Sequence, residues 1–311
     1  MKAVTHRIRE VFEEAGASGA VHARRIGTGA IDTPAADDVE AAGTAGLAEV
    51  NVDADARVVL ASVFKIPFAV AYAREAAAGG LDPAERTTVT ARDRTGGVGT
   101  AGCADDVEMS WRDLAMFMMT MSDNAATDVL YRRLGYRRIQ AVLDDVGLHS
   151  TNIIGCCEDL FATMAADLGV SLDELGPAFV EAGPERIWKL SVLDPARTSA
   201  STPRDLTTLL AAIWTDEAGP PEACDEVRSI MAHQIWPHRL TSGFPGDVQV
   251  AGKTGTLPAV RNEAGVVTYP DDQSYAVAVF TRAESLDPCQ PRIDAAIGQA
   301  ARLAVEHLRG E

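Results

Sequence analysis

The chain has 311 residues, 47% hydrophobic and 23% charged, which excludes a disordered tail or a collagen-like fibre and allows one large or two joined domains. Lys+Arg 28 against Asp+Glu 45 leaves a net charge of −17, which repels nucleic acid and anionic membrane surfaces, so neither partner is expected. Five cysteines, an odd number at no zinc-like spacing and with Cys156 and Cys157 adjacent, read as small buried thiols and not as a disulfide framework.

The first sixteen residues place Val4, Ile8, Val11 and Phe12 at helical spacing with charges between them, which predicts an amphipathic helix and not a signal peptide. The chain as it stands therefore reads as cytoplasmic, with secretion expected if the true start lies upstream. Segments 18–27, 45–51 and 57–60 suit strands, separated by the Gly/Asp/Pro-rich stretch 28–44. Apolar residues three and four apart then predict helices over 64–78, 110–120, 123–134, 137–146, 158–168, 203–215 and 221–235. Strand character returns at 247–252, 264–269 and 274–282, and 291–308 is a closing amphipathic helix. This order predicts an α/β (α+β) fold. Residues 1–60 and 237–311 form an antiparallel sheet flanked by the first and last helices, residues 61–236 form an inserted all-helical domain, and the active site lies between them.

Ser62-Val63-Phe64-Lys65 stands at a strand-to-helix junction. Three residues apart on a helix, Ser62 and Lys65 share a face, so the amine can reach the hydroxyl that it helps deprotonate. Backbone N–H groups at the helix start can hold an oxyanion. The lysine sits among Leu60, Val63, Phe64, Ile66 and Phe68, where it must be partnered or functional. Lys2, Lys65, Lys189 and Lys253 are the only lysines, so 24 of the 28 cations are arginine, and a titratable amine here is a departure from the chain's habit. Ser122-Asp123-Asn124 follows sixty residues after Ser62, and alone would read as a helix N-cap. Lys253-Thr254-Gly255-Thr256 runs on from the strand Val248–Gly252 and alone would read as an edge strand entering a turn.

In this order and spacing, S-x-x-K, S-D-N and K-T-G resemble the class A β-lactamases and their penicillin-binding relatives. The resemblance spans nearly the whole chain and includes Trp111-Arg112-Asp113-Leu114, Asn124-Ala125-Ala126-Thr127, Thr202-Pro203 and Val277-Ala278-Val279-Phe280. It implies Ser62 as nucleophile, Lys65 as a base, Ser122 as proton shuttle to the leaving nitrogen and Asn124 as donor to the substrate amide. Lys253 would supply positive potential, Thr254 and Thr256 would bind the substrate carboxylate, and Gly255 belongs to the same motif. The N–H groups of Ser62 and Thr256 would form the oxyanion hole. Glu158, 36 residues after Ser122, lies where class A enzymes place their deacylating glutamate, although Glu158-Asp159-Leu160-Phe161-Ala162 lacks the asparagine that helps hold the water. It reads either as that base or as a helix cap. The stretch from Glu158 to Pro203 is longer than the usual loop, with a helical insertion and Gly/Pro breaks at 176–184. Arg261 is either a second carboxylate-binding charge or part of a surface turn.

Gly97-Val98-Gly99-Thr100-Ala101-Gly102 fits G-x-G-x-x-G but opens no helix and runs into Asp105, Asp106 and Glu108, so it reads as a loop at a cleft entrance. The six histidines are scattered without H-E-x-x-H or a G-x-S-x-G elbow. The expectation is a monomeric serine hydrolase that needs no metal and no cofactor and acts on a small acyl substrate. β-Lactam hydrolysis leads. An esterase, amidase or transacylase, a D,D-peptidase and an acylation-only β-lactam sensor are the alternatives.

Overall fold

Ile8, Val11 and Phe12 are the buried face of helix α1 (Lys2–Ala15), in a computed structural model that describes residues 2–27 and 49–311. The expected stretch 28–44, and residues 45–48 of the second strand, lie outside the described residues. Next come strands β1 (Ala17–Arg25), β2 (Glu49–Val52) and β3 (Val58–Val59), helix α2 (Lys65–Ala77), strands β4 (Arg86–Val89) and β5 (Val107–Ser110), and helices α3 (Trp111–Thr120), α4 (Asn124–Leu134), α5 (Tyr136–Val146) and α6 (Cys157–Leu168). The short helices α7 (Leu175–Glu181) and α8 (Pro184–Ile187), strand β6 (Ala200–Ser201), and helices α9 (Pro203–Trp214) and α10 (Pro221–Ala232) complete the middle. Strands β7 (Gln249–Leu257), β8 (Val260–Thr268) and β9 (Ser274–Ala283) and helix α11 (Pro291–Arg309) follow.

The main sheet is antiparallel with strand order β2-β1-β9-β8-β7. Side chains alternate across a strand, and β9 shows it. Val277 and Val279 pack with α1 and α11 through Phe12, Ile297 and Val305, whereas Ala276, Ala278 and Phe280 face a second core with Phe64, Leu210 and Met231. Helix α2 is buried at every position from Lys65 to Ala73, as a helix apolar on all sides must be, and its Pro67 falls in the first turn, where a missing N–H costs nothing.

Several expectations are corrected. The strand expected at 57–60 shrinks to β3, which pairs with β6 and not with the main sheet. Residues 61–236 are not all helix: they carry β6 and the β4–β5 ribbon, whose short, polar strands give little periodic signal. The Gly/Pro breaks expected at 176–184 are partly helical, since Gly176 and Pro177 occupy the first turn of α7. Strand β8 begins at Val260, four residues early, and β7 runs on through Leu257, so the K-T-G lies inside a strand. All five cysteines are free, but Cys103 and Cys289 are exposed, because each sits in a loop between elements. No helix among the described residues is long and apolar enough to cross a membrane.

Candidate active site

Ser62 occupies a short 3-10 turn, Ala61–Phe64, that leads directly into α2. Ala61 adopts a left-handed backbone, φ 46°, a strained geometry held from two sides. Asn262 of β8 donates to Val59 O at 2.8 Å, fixing the approach to the turn. Gly255 of β7 lies against the turn itself: a Cβ there would meet Leu60 O at 2.6 Å and Ala61 Cβ at 3.2 Å. The glycine of K-T-G is therefore required by the closeness of sheet and nucleophile turn.

Lys65 is fully buried and its ammonium serves three acceptors: Ser122 O at 2.8 Å, Asn124 Oδ1 at 2.9 Å and Ser122 Oγ at 3.2 Å. Of Ser122-Asp123-Asn124, only Asp123 caps α4, accepting from Ala126 N at 3.1 Å. Its other oxygen takes Thr100 N at 2.6 Å and Thr100 Oγ1 at 2.7 Å, which pins the glycine loop to the motif. Asn124 Nδ2 donates to Gly96 O of the same loop at 3.0 Å. Ser122, in a left-handed conformation with φ 66°, is freed from capping and turned to Lys65.

Lys253 is also fully buried, with its ammonium donating to Thr254 O at 2.9 Å. Burial first, then the neighbouring Lys65, push it well below the ordinary lysine range, against the pull of Glu263. Glu263, fully buried in β8, is pushed up to about 7 by burial although Leu240 N and Gln234 Nε2 donate to it. Thr254 is buried and Thr256 is exposed at the cleft. Behind this strand lies Arg239, 3% exposed, donating to Gly255 O at 3.0 Å, Asn262 O at 2.8 Å and Thr256 Oγ1 at 2.8 Å, with its Nε on Asp294 at 2.7 Å. Gly298 of α11 makes room for it, since a Cβ there would meet Arg239 O at 2.5 Å. Arg261 is not in a surface turn. It lies within β8, 8% exposed, donating to Pro288 O and lining the cleft with Asn124 and Thr256. Two lysines and two arginines thus gather within an acidic protein, three of them buried and Arg261 lining the cleft.

Glu158 is not brought to this cluster. It is exposed on the first turn of α6, with its carboxylate 3.9 Å from Arg132. The residue that α6 turns inward is Cys157, whose thiol donates to Asn124 Oδ1 at 3.3 Å. Burial pushes that thiol up to about 11, against the nearby Lys65, so it is neutral at physiological pH. Asp128 of α4 fixes the orientation by accepting Cys157 N at 2.7 Å and Glu158 N at 3.1 Å. Sequence reasoning missed Arg239, Asn262, Glu263, Asp128 and the inward turn of Cys157. Arg261-Asn262-Glu263, polar inside an otherwise apolar strand, was a usable signal, and Arg239 offered none.

The profile of the β-lactamase enzyme family matches residues 4–308. The chain belongs to that family. Among its relatives, a protein of Streptomyces cacaoi described as "Beta-lactamase regulatory protein BlaB" is 27% identical over 99% of this chain and 98% of its own length. Among solved structures, a β-lactamase from Sphaerobacter thermophilus superposes with a TM-score of 0.75 at 22% identity, over 100% of this chain and 99% of the other. The penicillin-binding protein PBP-A gives 0.73 at 21% identity, over 100% and 97%. An ancestral class A β-lactamase gives 0.72 at 22% identity, over 98% and 99%. At such identities these three establish the class A β-lactamase fold.

Proposed function

We propose that Ser62 is acylated by β-lactams or related amides and esters and that the acyl-enzyme is long-lived, so that the protein acts as a β-lactam-binding sensor more than as an efficient hydrolase. In acylation, the Ser62 Oγ–carbonyl bond forms and the lactam C–N bond breaks. The hydroxyl proton passes by way of Lys65 and Ser122 to the departing nitrogen. Thr254, Thr256 and Arg261 hold the substrate carboxylate with Lys253 and Arg239 buried behind them, Asn124 donates to its amide, and the N–H groups of Ser62 and Thr256 hold the oxyanion. The observation that carries the reading is Cys157. The position facing Lys65 and Asn124 from α6 holds a neutral thiol, which cannot activate the water that would release the acyl group. The regulatory name of the Streptomyces relative points the same way. Efficient hydrolysis with Glu158 as base is the rival, and it requires that carboxylate to leave Arg132 and reach the cleft.

The test is intact-mass spectrometry after a pulse of penicillin G. A persistent adduct is expected in the native protein, none in Ser62→Ala, and an unchanged lifetime in Glu158→Gln. Rapid turnover that stalls as an adduct in Glu158→Gln would establish the hydrolase instead.

A further inference from the structure

The cleft that begins at Asn124 and Thr256 does not end with the charged cluster. It extends to about 1160 Å³, at or above the upper end of ordinary small-molecule sites. Away from Asn124 much of its wall is apolar. Phe161 and Met164 of α6 form one side, Leu175, Phe179 and Val180 of α7 another, and the β7–β8 turn with Leu257 closes it. Helix α7 belongs to the long insertion between Glu158 and Pro203, so this wall is a feature of that insertion. One of its residues is not explained by core packing. Phe179 is partly buried against the core of Leu160, Met164 and Leu175, but Val180, 85% exposed, is the most exposed of the large hydrophobic residues among those described, and it lines the cleft. The charged lining residues are Arg92 and Arg94 just before the glycine loop, Arg261 of β8, Asp287 beyond β9 and Asp173 in the turn before α7, whereas α7 itself contributes none.

We infer that the native acyl donor carries a long apolar acyl chain, such as a medium-chain fatty acyl group, on a polar or anionic head. The head lies at Thr256 and Arg261, and the chain runs from Ser62 along α7. This inference rests on the acyl-transfer reading of Ser62 and specifies its substrate. Continuity decides the occupant, because the groove is lined at one end by Asn124, the acceptor of Lys65, and by Thr256, next to the glycine that packs on the Ser62 turn, so an acyl group bonded to Ser62 has this channel to enter. A compact bicyclic lactam leaves most of it empty. Each methylene moved from water to such a wall contributes roughly a threefold to fourfold gain in specificity until the groove is filled.

The test is a series of p-nitrophenyl esters, acetate through decanoate, on the full chain with Ser62→Ala as background. In each reaction the Ser62 Oγ–acyl bond forms, the ester C–O bond breaks, and p-nitrophenolate leaves with the electron pair while the hydroxyl proton is released to solvent. The expected result is a Ser62-dependent kcat/KM that rises by about threefold per methylene over the first several carbons. Phe179→Ser should lower the octanoate-to-acetate ratio by about tenfold. Val180→Glu, at a position too exposed to hold the fold together, should lower the same ratio. A Ser62-dependent rate that is flat with chain length overturns the inference and leaves the acyl-transfer reading standing. No Ser62-dependent reaction with any ester and no β-lactam adduct overturns both.

Discussion

Three acceptors around one ammonium leave Lys65 no spare proton while it is charged, so it can take a proton from Ser62 only after giving one up. Arginine cannot do this, and its planar fork does not reproduce three convergent donors. Lys65→Arg is therefore expected to slow acylation by roughly 10²–10⁴-fold in stopped-flow assays, and a rate within tenfold of native would defeat the base role. Cys157 gives the complementary prediction. Cys157→Glu sets a carboxylate against Lys65 and Asn124 and should shorten the life of a penicillin adduct by about tenfold or more, read by the same mass time course. These two positions also mark the limit of counting along the chain. An offset of 36 residues selects Glu158, but successive helical residues point about 100° apart, so the phase of α6 turns its neighbour inward and Glu158 to Arg132. That phase follows from Asp128 gripping the two N–H groups at the helix start, a tertiary contact that spacing does not reveal.

Strand β7 combines three tasks that the sequence shows only as a four-residue motif. Its lysine is buried, its glycine admits the nucleophile turn, and its second threonine is held by Arg239. Gly255→Ala would force the strand from Leu60 O, so acylation should fall by about 10²-fold, with a stability loss of about 1–3 kcal/mol measured by urea unfolding. Preserved acylation in that variant would show that the closeness of strand and turn is dispensable. Helices were the legible elements because apolar residues three and four apart survive in α3, α4, α5 and α9 whatever packs against them. Strand β8 began early because Arg261, Asn262 and Glu263 break its apolar run. Each of these polar side chains is buried against a partner that lies far along the chain: Pro288 O, Val59 O and Leu240 N.

Across the whole molecule, acidity and buried charge are separated: a net charge of −17 surrounds the buried Lys65, Lys253 and Arg239, with Arg261 beside them at the cleft. Glu263 links that cleft to stability. Its folded value of about 7 against an ordinary 4.5 means that between these limits the folded chain keeps a proton that the unfolded chain has released. Stability is therefore lost as pH rises through that window, by up to about 3 kcal/mol. Burial raises Asp128 to about 6 as well, so urea midpoints followed across the window should show a slope in the native protein that is reduced but not abolished in Glu263→Gln, and parallel curves would exclude Glu263 as a source. The sheet order adds a constraint in time. Strand β1 is paired with β9 from Ala17↔Ala283 to Arg25↔Tyr275, so the sheet that carries K-T-G cannot close until segments far apart in sequence have met. Contacts of such separation form slowly, whereas the local turns of α2 to α5 form fast. A refolding chain thus holds Ser62 and Lys65 at the start of α2, and Ser122 in the connection between α3 and α4, before β7 arrives to complete them, and the capacity to be acylated is the last property it recovers.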